Sequence, residues 1–354
     1  MSKPFDFLVF IGRFQPFHQG HLSVVQQGLR DAERVIILIG SAHRPRNIRD
    51  PWTVEERAEM IRSAVSVQDA ERVITAPLMD VLYNDELWVR NVQATVQGLV
   101  TAHHAARHRV PVIGLIGHSK DHSSYYLKLF PHWDSVAVDN VEGLNATQIR
   151  EALFSPDDTQ AGMAYLDTET GTAALPKPIN RQLQRFVTGD AYQSIRQELA
   201  FIAAYKAGWS NAPYAPTFVT VDAVVVQSGH VLLITRKAFP GKGQLALPGG
   251  FINERERLEE AMLRELREET RLKVPAPVLK GSIRRQQVFD SPYRSTRGRT
   301  ITHAFYIELP PDTSLPKVKG GDDARHAQWV PLASLDPRQM YEDHYDIIQE
   351  MVGM

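Results

Sequence analysis

The stretch "FLVFIGRFQPFHQGH", residues 7–21, decides how the first half of the chain folds. Its first six residues form an apolar run that closes on Gly12, the pattern of a strand buried on both faces. Its last two, Gly20 and His21, open "GHLSVVQQGLRDA" (20–32), where Leu22, Val25 and Leu29 recur at helical spacing. Between strand and helix the chain must turn, and that turn carries His18, with His21 at the start of the helix. A turn of this kind lies at the carboxyl end of its strand, where open α/β sheets bind their ligands.

Working outward, the alternation continues. Strand "RVIILIG" (34–40) precedes helix "TVEERAEMIRSAV" (53–65), in which Thr53 and Glu56 have the spacing of a capping box. Strand "RVITAPL" (72–78), helix "DELWVRNVQATVQGLV" (85–100) and strands at 110–117 and 134–139 follow. This order predicts a parallel sheet with helices on both faces. "SPDDTQAG" (155–162) and "TETGTAALPKP" (168–178) read as turn-rich and 180–209 as helix broken near Thr188-Gly189-Asp190, together the helical end of the first domain plus a linker. "NAPYAP" (211–216) marks a boundary. The second half opens with two β-rich runs joined at Ser228-Gly229, a hairpin signal. A helix at 254–270 and β-like runs at 283–289, 300–309 and 327–332 complete an α+β pattern.

Composition narrows the chemistry. The chain has 354 residues, 40 Lys and Arg against 41 Asp and Glu, and a net charge of −1. A broad basic surface for nucleic acid is not expected; an anion would be held by a local cluster. There is no cysteine, which excludes disulfides, thiolate metal sites and a cysteine nucleophile. The apolar runs are too short to span a bilayer, and no charged-then-apolar leader opens the chain. The expectation is a soluble cytoplasmic protein without nucleic-acid or membrane partners, a homo-oligomer being left open.

A histidine pair invites a metal reading, but the turn supplies no acidic residue and no third histidine, and catalytic zinc takes three protein ligands. A phosphate explains more. Backbone N–H groups and the dipole at a helix start favour an anion, Gly20 lets it approach closely, and imidazoles can donate to phosphoryl oxygens. Nucleotidyl transfer needs charge stabilisation and in-line positioning rather than a protein nucleophile.

"GRFQPFHQGH" resembles the signature of the HxGH nucleotidyltransferases, and in its fuller form that of the nicotinamide mononucleotide (NMN) adenylyltransferases, which join NMN and ATP into NAD. The resemblance implies that His18 and His21 contact the ATP phosphates and that Gly12, Arg13, Phe14 and Gln15 line the nucleotide site. "NATQIR" (145–150) is similar to the family's second element, with Thr147 placed to cap a helix and Arg150 to reach the β- and γ-phosphates. "AHRPRNIRDPWTVEER" (42–57) resembles a substrate-contacting loop, with Arg46 and Asn47 as its contacts. "YNDELW" (83–88) resembles the nicotinamide-recognition segment, where Trp88 would stack on the pyridinium and Asn84 would bond the carboxamide. Gly117 and Asp121, in "IGHSKDHSSYYLKLFPHW" (116–133), are candidate adenosine contacts.

The second constellation is "GFINERERLEEAMLRELREETRL" (250–272). At about 100° per residue, Leu258, Ala261, Met262 and Leu266 share an apolar face. Glu265, Glu268 and Glu269 project toward that side, and Glu260, Arg264 and Arg267 away from it. Three carboxylates turned toward the protein body need a cation, and Mg²⁺ or Mn²⁺ takes oxygen ligands. The spacing Gly250, Glu256, Arg264-Glu265, Glu268-Glu269 resembles the Nudix box, with Arg271 where the box has its last glycine. The resemblance implies metal-assisted hydrolysis, with Glu265, Glu268 and Glu269 as metal ligands and Gly250, Glu256 and Arg264 as structural members. "LALPGGFIN" and "RSTRGRTITHAF" extend it; Arg294, Arg297 and Arg299 face two readings, as diphosphate or ribose contacts or as a solvated loop.

The expected fold class is α/β: a Rossmann-like HxGH nucleotidyltransferase domain with a parallel sheet at 1–185, a helical linker at 186–213, and an α+β Nudix domain at 214–354. Taken together, the two resemblances imply a bifunctional NMN adenylyltransferase–Nudix protein. Its partners would be ATP, NMN and NAD in the first domain and ADP-ribose in the second. A non-catalytic ADP-ribose or NAD sensor in the second domain, or a different acceptor in the first, are the competing readings.

Overall fold

A computed structural model describes residues 3–104, 109–118, 129–138, 144–156, 158–321 and 323–353. The chain divides into two compact units, Met1–Leu199 and Ala200–Met354. In chain order the first unit contains β1 (Phe5–Gly12), α1 (Gln19–Asp31), β2 (Ala32–Ile39), α2 (Val54–Ala64), α3 (Val67–Ala70), β3 (Val73–Pro77) and α4 (Asp85–His104). β4 (Ile113–His118), β5 (Asp134–Val138), α5 (Ala146–Leu153), α6 (Ala161–Asp167), α7 (Glu169–Ala174) and α8 (Lys177–Phe186) follow. The division falls within α9 (Asp190–Ala207).

Five parallel strands lie in the order β3-β2-β1-β4-β5. Alternation along β1 feeds two cores. Leu8 and Phe10 join Val24, Val25 and Leu29 of α1 on one face, and Phe7, Val9 and Ile11 join Val92, Val96 and Val100 of α4 on the other. This is why β1 reads as a continuous apolar run. The chain runs outward from β1 through β2 to β3, then returns to β4 on β1's other side. That reversal puts a crevice at the carboxyl end of β1, where the histidine turn lies.

The capping box on α2 forms as its sequence predicts, Thr53 Oγ1 accepting from Glu56 N at 3.3 Å and Glu56 from Thr53 N at 2.8 Å. Of the two stretches read as turn-rich, the second holds α7, while the first ends where α6 begins. Leu166 and Ala174 are buried there and Thr168 Oγ1 caps α7 by accepting from Gly171 N at 3.0 Å, so packing and a cap together make these helices. The helix break before α9 is where the sequence puts it.

The second unit holds β6 (Thr217–Gln227), β7 (His230–Arg236), β8 (Leu245–Ala246), β9 (Gly249–Phe251), α10 (Leu258–Thr270), α11 (Ala276–Gly281), β10 (Ile283–Phe289), β11 (Arg299–Glu308), β12 (Ala324–Pro331) and α12 (His344–Val352). The sheet order is β10-β11-β6-β7-β12, with β8 on β7 and β9 on β6; β11 and β6 are parallel. The β6–β7 hairpin turns on Ser228 (φ 46°) and Gly229 (φ 73°), the left-handed pair of a tight hairpin turn. Val221, Ala223 and Val225 pack with Ala261, Met262 and Leu266 of α10 on one face. α10 starts four residues later than its sequence pattern, because residues 254–257 form the turn leading into it. Among the described residues, no helix is long and apolar enough to cross a membrane.

Candidate active sites

His18 is the N-cap of α1. Its Nδ1 accepts from Gly20 N at 3.1 Å, while His21 Nδ1 accepts from His18 N at 3.3 Å. The two rings stack with centroids 3.7 Å apart. A neutral imidazole whose Nδ1 accepts carries its proton on Nε2. The capping geometry therefore fixes both rings as Nε2–H donors at a helix start, a fixed donor pair suited to an anion.

Two buried arginines build the surrounding crevice. Arg150 on α5 donates to Gln15 O at 2.7 Å and to Thr147 Oγ1 at 3.1 Å. Burial, with Arg13 adding repulsion, pushes its pKa down to about 10. A desolvated guanidinium beside another cation favours an incoming anion. Arg57, which no motif singles out, donates to the carbonyls of Arg13 (2.6 Å), Gly40 (2.6 Å), Ser41 (3.1 Å) and Thr53 (3.2 Å). It ties the ends of β1 and β2 to the start of α2.

Several candidate contacts are committed elsewhere. Phe14 is buried and meets Phe10 and His21 edge-on, and Gln15 is buried with its amide on the backbone of Trp52, so both support the turn from beneath. Arg46 makes a two-pronged pair with Glu56 at 2.8 and 2.9 Å, and Asn47 Oδ1 accepts from Arg49 N and Asp50 N. Asn84 caps α4 by accepting from Leu87 N at 2.9 Å. Trp88 is half-buried near Phe130, 6.1 Å between centroids. The cap of α5 is Asn145, accepting from Thr147 N and Gln148 N, rather than Thr147, whose hydroxyl holds Arg150. Gly12 ends β1 and Gly117 lies in β4, while Asp121 lies outside the described residues.

In the second unit, Glu269 is buried, 6% exposed, and its Oε2 accepts from Gly249 N at 2.9 Å. Burial, with Glu265 and Asp222 adding repulsion, pushes its pKa up to about 8. Burial raises Glu265 as well, against the pull of Arg264. Gly250 makes room for the Glu265 carboxylate, since a Cβ there would lie 2.5–2.9 Å from its atoms.

Arg264 requires a correction. It does not project away from the carboxylates. Its Nη1 donates to Glu265 at 2.8 Å and to Glu268 at 3.0 Å, while Nε and Nη2 hold Glu256 at 2.8 and 2.9 Å. The long side chain reaches round the helix to the negative cluster, which the direction of its Cα–Cβ bond does not reveal. Glu268 is also more exposed than its apolar-side placement implied, at 45% of its side chain. Among the described residues, no three His, Asp or Glu side chains converge as a metal site. The donor set nevertheless fits a divalent cation: hard carboxylate oxygens, two with raised pKa, in a cradle kept open by a glycine. Arg271 ends α10 in the left-handed conformation (φ 48°) with its N–H on Arg267 O, so the departure from glycine preserves the helix end.

Fold and sites define a nucleotidyltransferase joined to a Nudix unit. Residues 9–152 match the cytidylyltransferase-like family and residues 216–351 the NUDIX domain. A nicotinamide/nicotinic acid mononucleotide adenylyltransferase of Acinetobacter baylyi is 38% identical over 195 residues, 55% of this chain and 93% of that protein. An ADP-ribose pyrophosphatase of Methanocaldococcus jannaschii is 38% identical over 137 residues, 39% of this chain and 74% of that protein. The crystal structure of a bifunctional NMN adenylyltransferase/ADP-ribose pyrophosphatase of Francisella tularensis, complexed with AMP and a manganese ion, superposes with a TM-score of 0.86. It is 35% identical and covers 99% of both chains. The chain belongs to this family of two-domain NMN adenylyltransferase/ADP-ribose pyrophosphatase enzymes.

Proposed function

We propose that the first unit transfers AMP from ATP to NMN, giving NAD and pyrophosphate, and that the second hydrolyses ADP-ribose to AMP and ribose 5-phosphate. The observation that carries the first reading is the histidine pair, each ring held by its Nδ1 as an Nε2–H donor at the start of α1. In this reading a phosphate oxygen of NMN attacks the α-phosphorus of ATP and the bond to pyrophosphate breaks. His18, His21 and Arg150 stabilise the charge that develops on the phosphoryl oxygens, with no protein nucleophile. Trp88 and Asn84 remain the proposed nicotinamide contacts, Asn84 through the Nδ2 end of an amide whose oxygen caps α4. Arg13 and Thr147 complete the proposed nucleotide contacts, and Arg46 and Asn47 shape the loop beside them.

The second reading rests on the Gly249–Gly250 cradle around Glu265 and Glu269. Glu265, Glu268 and Glu269 would hold Mg²⁺ or Mn²⁺, which when bound supplies charge neutralisation of the diphosphate and activation of water. Arg264 would keep Glu256 and release Glu265 and Glu268 to the ion.

With NMN, ATP and Mg²⁺, the purified protein is expected to form NAD, and His18→Ala to lower kcat/KM by about a hundredfold or more. Unchanged NAD formation in that variant sinks the assignment. Competition between NMN and its carboxylate analogue reads acceptor preference, and AMP release from ADP-ribose separates a hydrolase from a sensor.

A further inference from the structure

The segment between β10 and β11 carries three arginines that the sequence treats alike, and their surroundings separate them. Arg294 is buried and two-pronged on Asp343 at 2.9 and 2.9 Å, with Asp222 4.0 Å away. Arg299 lies against Asp290, with the carboxylate at 3.8 Å. Arg297 has no ion pair among the described residues. Its guanidinium stands 5.0 Å from the centroid of Phe251, and its Nε is buried with no hydrogen-bond partner. Burial opposes its charge, which Tyr341 and then Glu342 favour at longer range, and Glu342 accepts from Thr296 N at 3.1 Å. A buried charged donor without an acceptor is costly in a finished fold and calls for a partner from outside it.

The neighbourhood indicates what that partner is. Phe251 is 38% exposed, and its carbonyl accepts from Arg264 Nη2 at 3.1 Å. It directly follows Gly250, the residue that makes room for Glu265. Phe218 meets Phe251 edge-on at 5.7 Å, and Trp209, 46% exposed, meets Phe218 at 5.5 Å. Alternation along β9 turns Phe251 to the opposite side of the strand from Gly250, so Arg297 lies across β9 from the carboxylates. A ligand engaging both must pass over the end of that strand with anionic oxygens along its length. A nucleoside diphosphate linked to a second sugar does so; a lone phosphate does not.

We propose that Arg297 is a substrate-binding residue of the second unit, its guanidinium donating to a phosphate oxygen of the bound nucleoside diphosphate. Phe251 holds the guanidinium plane by a cation–π contact, and Arg294 serves the fold. This inference rests on the hydrolase reading of the second unit.

The test compares wild type, Arg297→Ala, Arg297→Lys and, as a control, Arg284→Ala, whose surface pair with Glu308 lies elsewhere on the sheet. ADP-ribose hydrolysis in Mg²⁺, ADP-ribose binding by calorimetry and thermal unfolding are measured on each full-length protein. Arg297→Ala is expected to raise KM and weaken binding about tenfold or more, with kcat changed far less and the melting temperature kept. Lysine restores part of the loss, and Arg284→Ala matches wild type. Unchanged KM and binding in Arg297→Ala overturn the inference while hydrolysis by the wild type leaves the hydrolase reading standing. Binding that weakens only in step with a lowered melting temperature also overturns it. Wild-type binding without hydrolysis overturns the hydrolase reading while the binding comparison still decides the role of Arg297, and absence of both overturns the two together.

Discussion

At His18 and His21 one nitrogen of each ring is committed to the backbone, and this commitment presets the other as a donor. The residue type and spacing were legible in the sequence; the tautomer was not, because it depends on which backbone N–H each ring meets. Arg57 was illegible for a similar reason. Nothing in "EERAEM" distinguishes a solvated arginine from one gathering four carbonyls. Arg57→Lys cannot reproduce that fork, so the first unit should lose about 2–4 kcal/mol in denaturant unfolding, with NAD synthesis falling alongside. Retained stability would mean that the fork is dispensable. Glu269 offers a pH test. Its folded pKa of about 8 lies above the ordinary 4.5, so the folded state retains a proton that the unfolded chain releases between these values. Its contribution to stability is complete below pH 4.5 and is lost as pH rises through about 8. In metal-free protein, wild type should lose stability across that window relative to Glu269→Gln, as followed by thermal unfolding; parallel profiles would contradict the raised value.

At the scale of elements, the long apolar runs and the capping box of α2 were readable because pattern and packing agree. α7 was not, since "TETGTAALPKP" is rich in turn formers and its helix rests on the Thr168 cap and the burial of Ala174. The Nudix helix was legible in its spacing and misread at Arg264, whose flexible stem carries the charge to Glu256, Glu265 and Glu268 at once. That pairing sharpens the role of β9. Gly250→Ala puts a methyl group where Glu265 now sits, and Arg264 limits how far the carboxylate can retreat. The variant should lower ADP-ribose hydrolysis at least tenfold while NAD synthesis and the melting profile of the first unit stay unchanged. Full hydrolysis would show that the cradle tolerates a side chain.

At the scale of the molecule, each unit has its own sheet and its own core, and each proposed site is built from residues of one unit only. This independence explains why the two motifs could be read separately, each by its own spacing, nearly 250 residues apart. It also underlies the proposal that one chain runs two reactions with separate machinery. The most direct test assays both reactions on the same preparations of His18→Ala and Glu269→Gln. His18→Ala is expected to lose NAD formation and still release AMP from ADP-ribose, while Glu269→Gln does the reverse. Loss of both reactions in either correctly folded variant, or loss of neither, would contradict it.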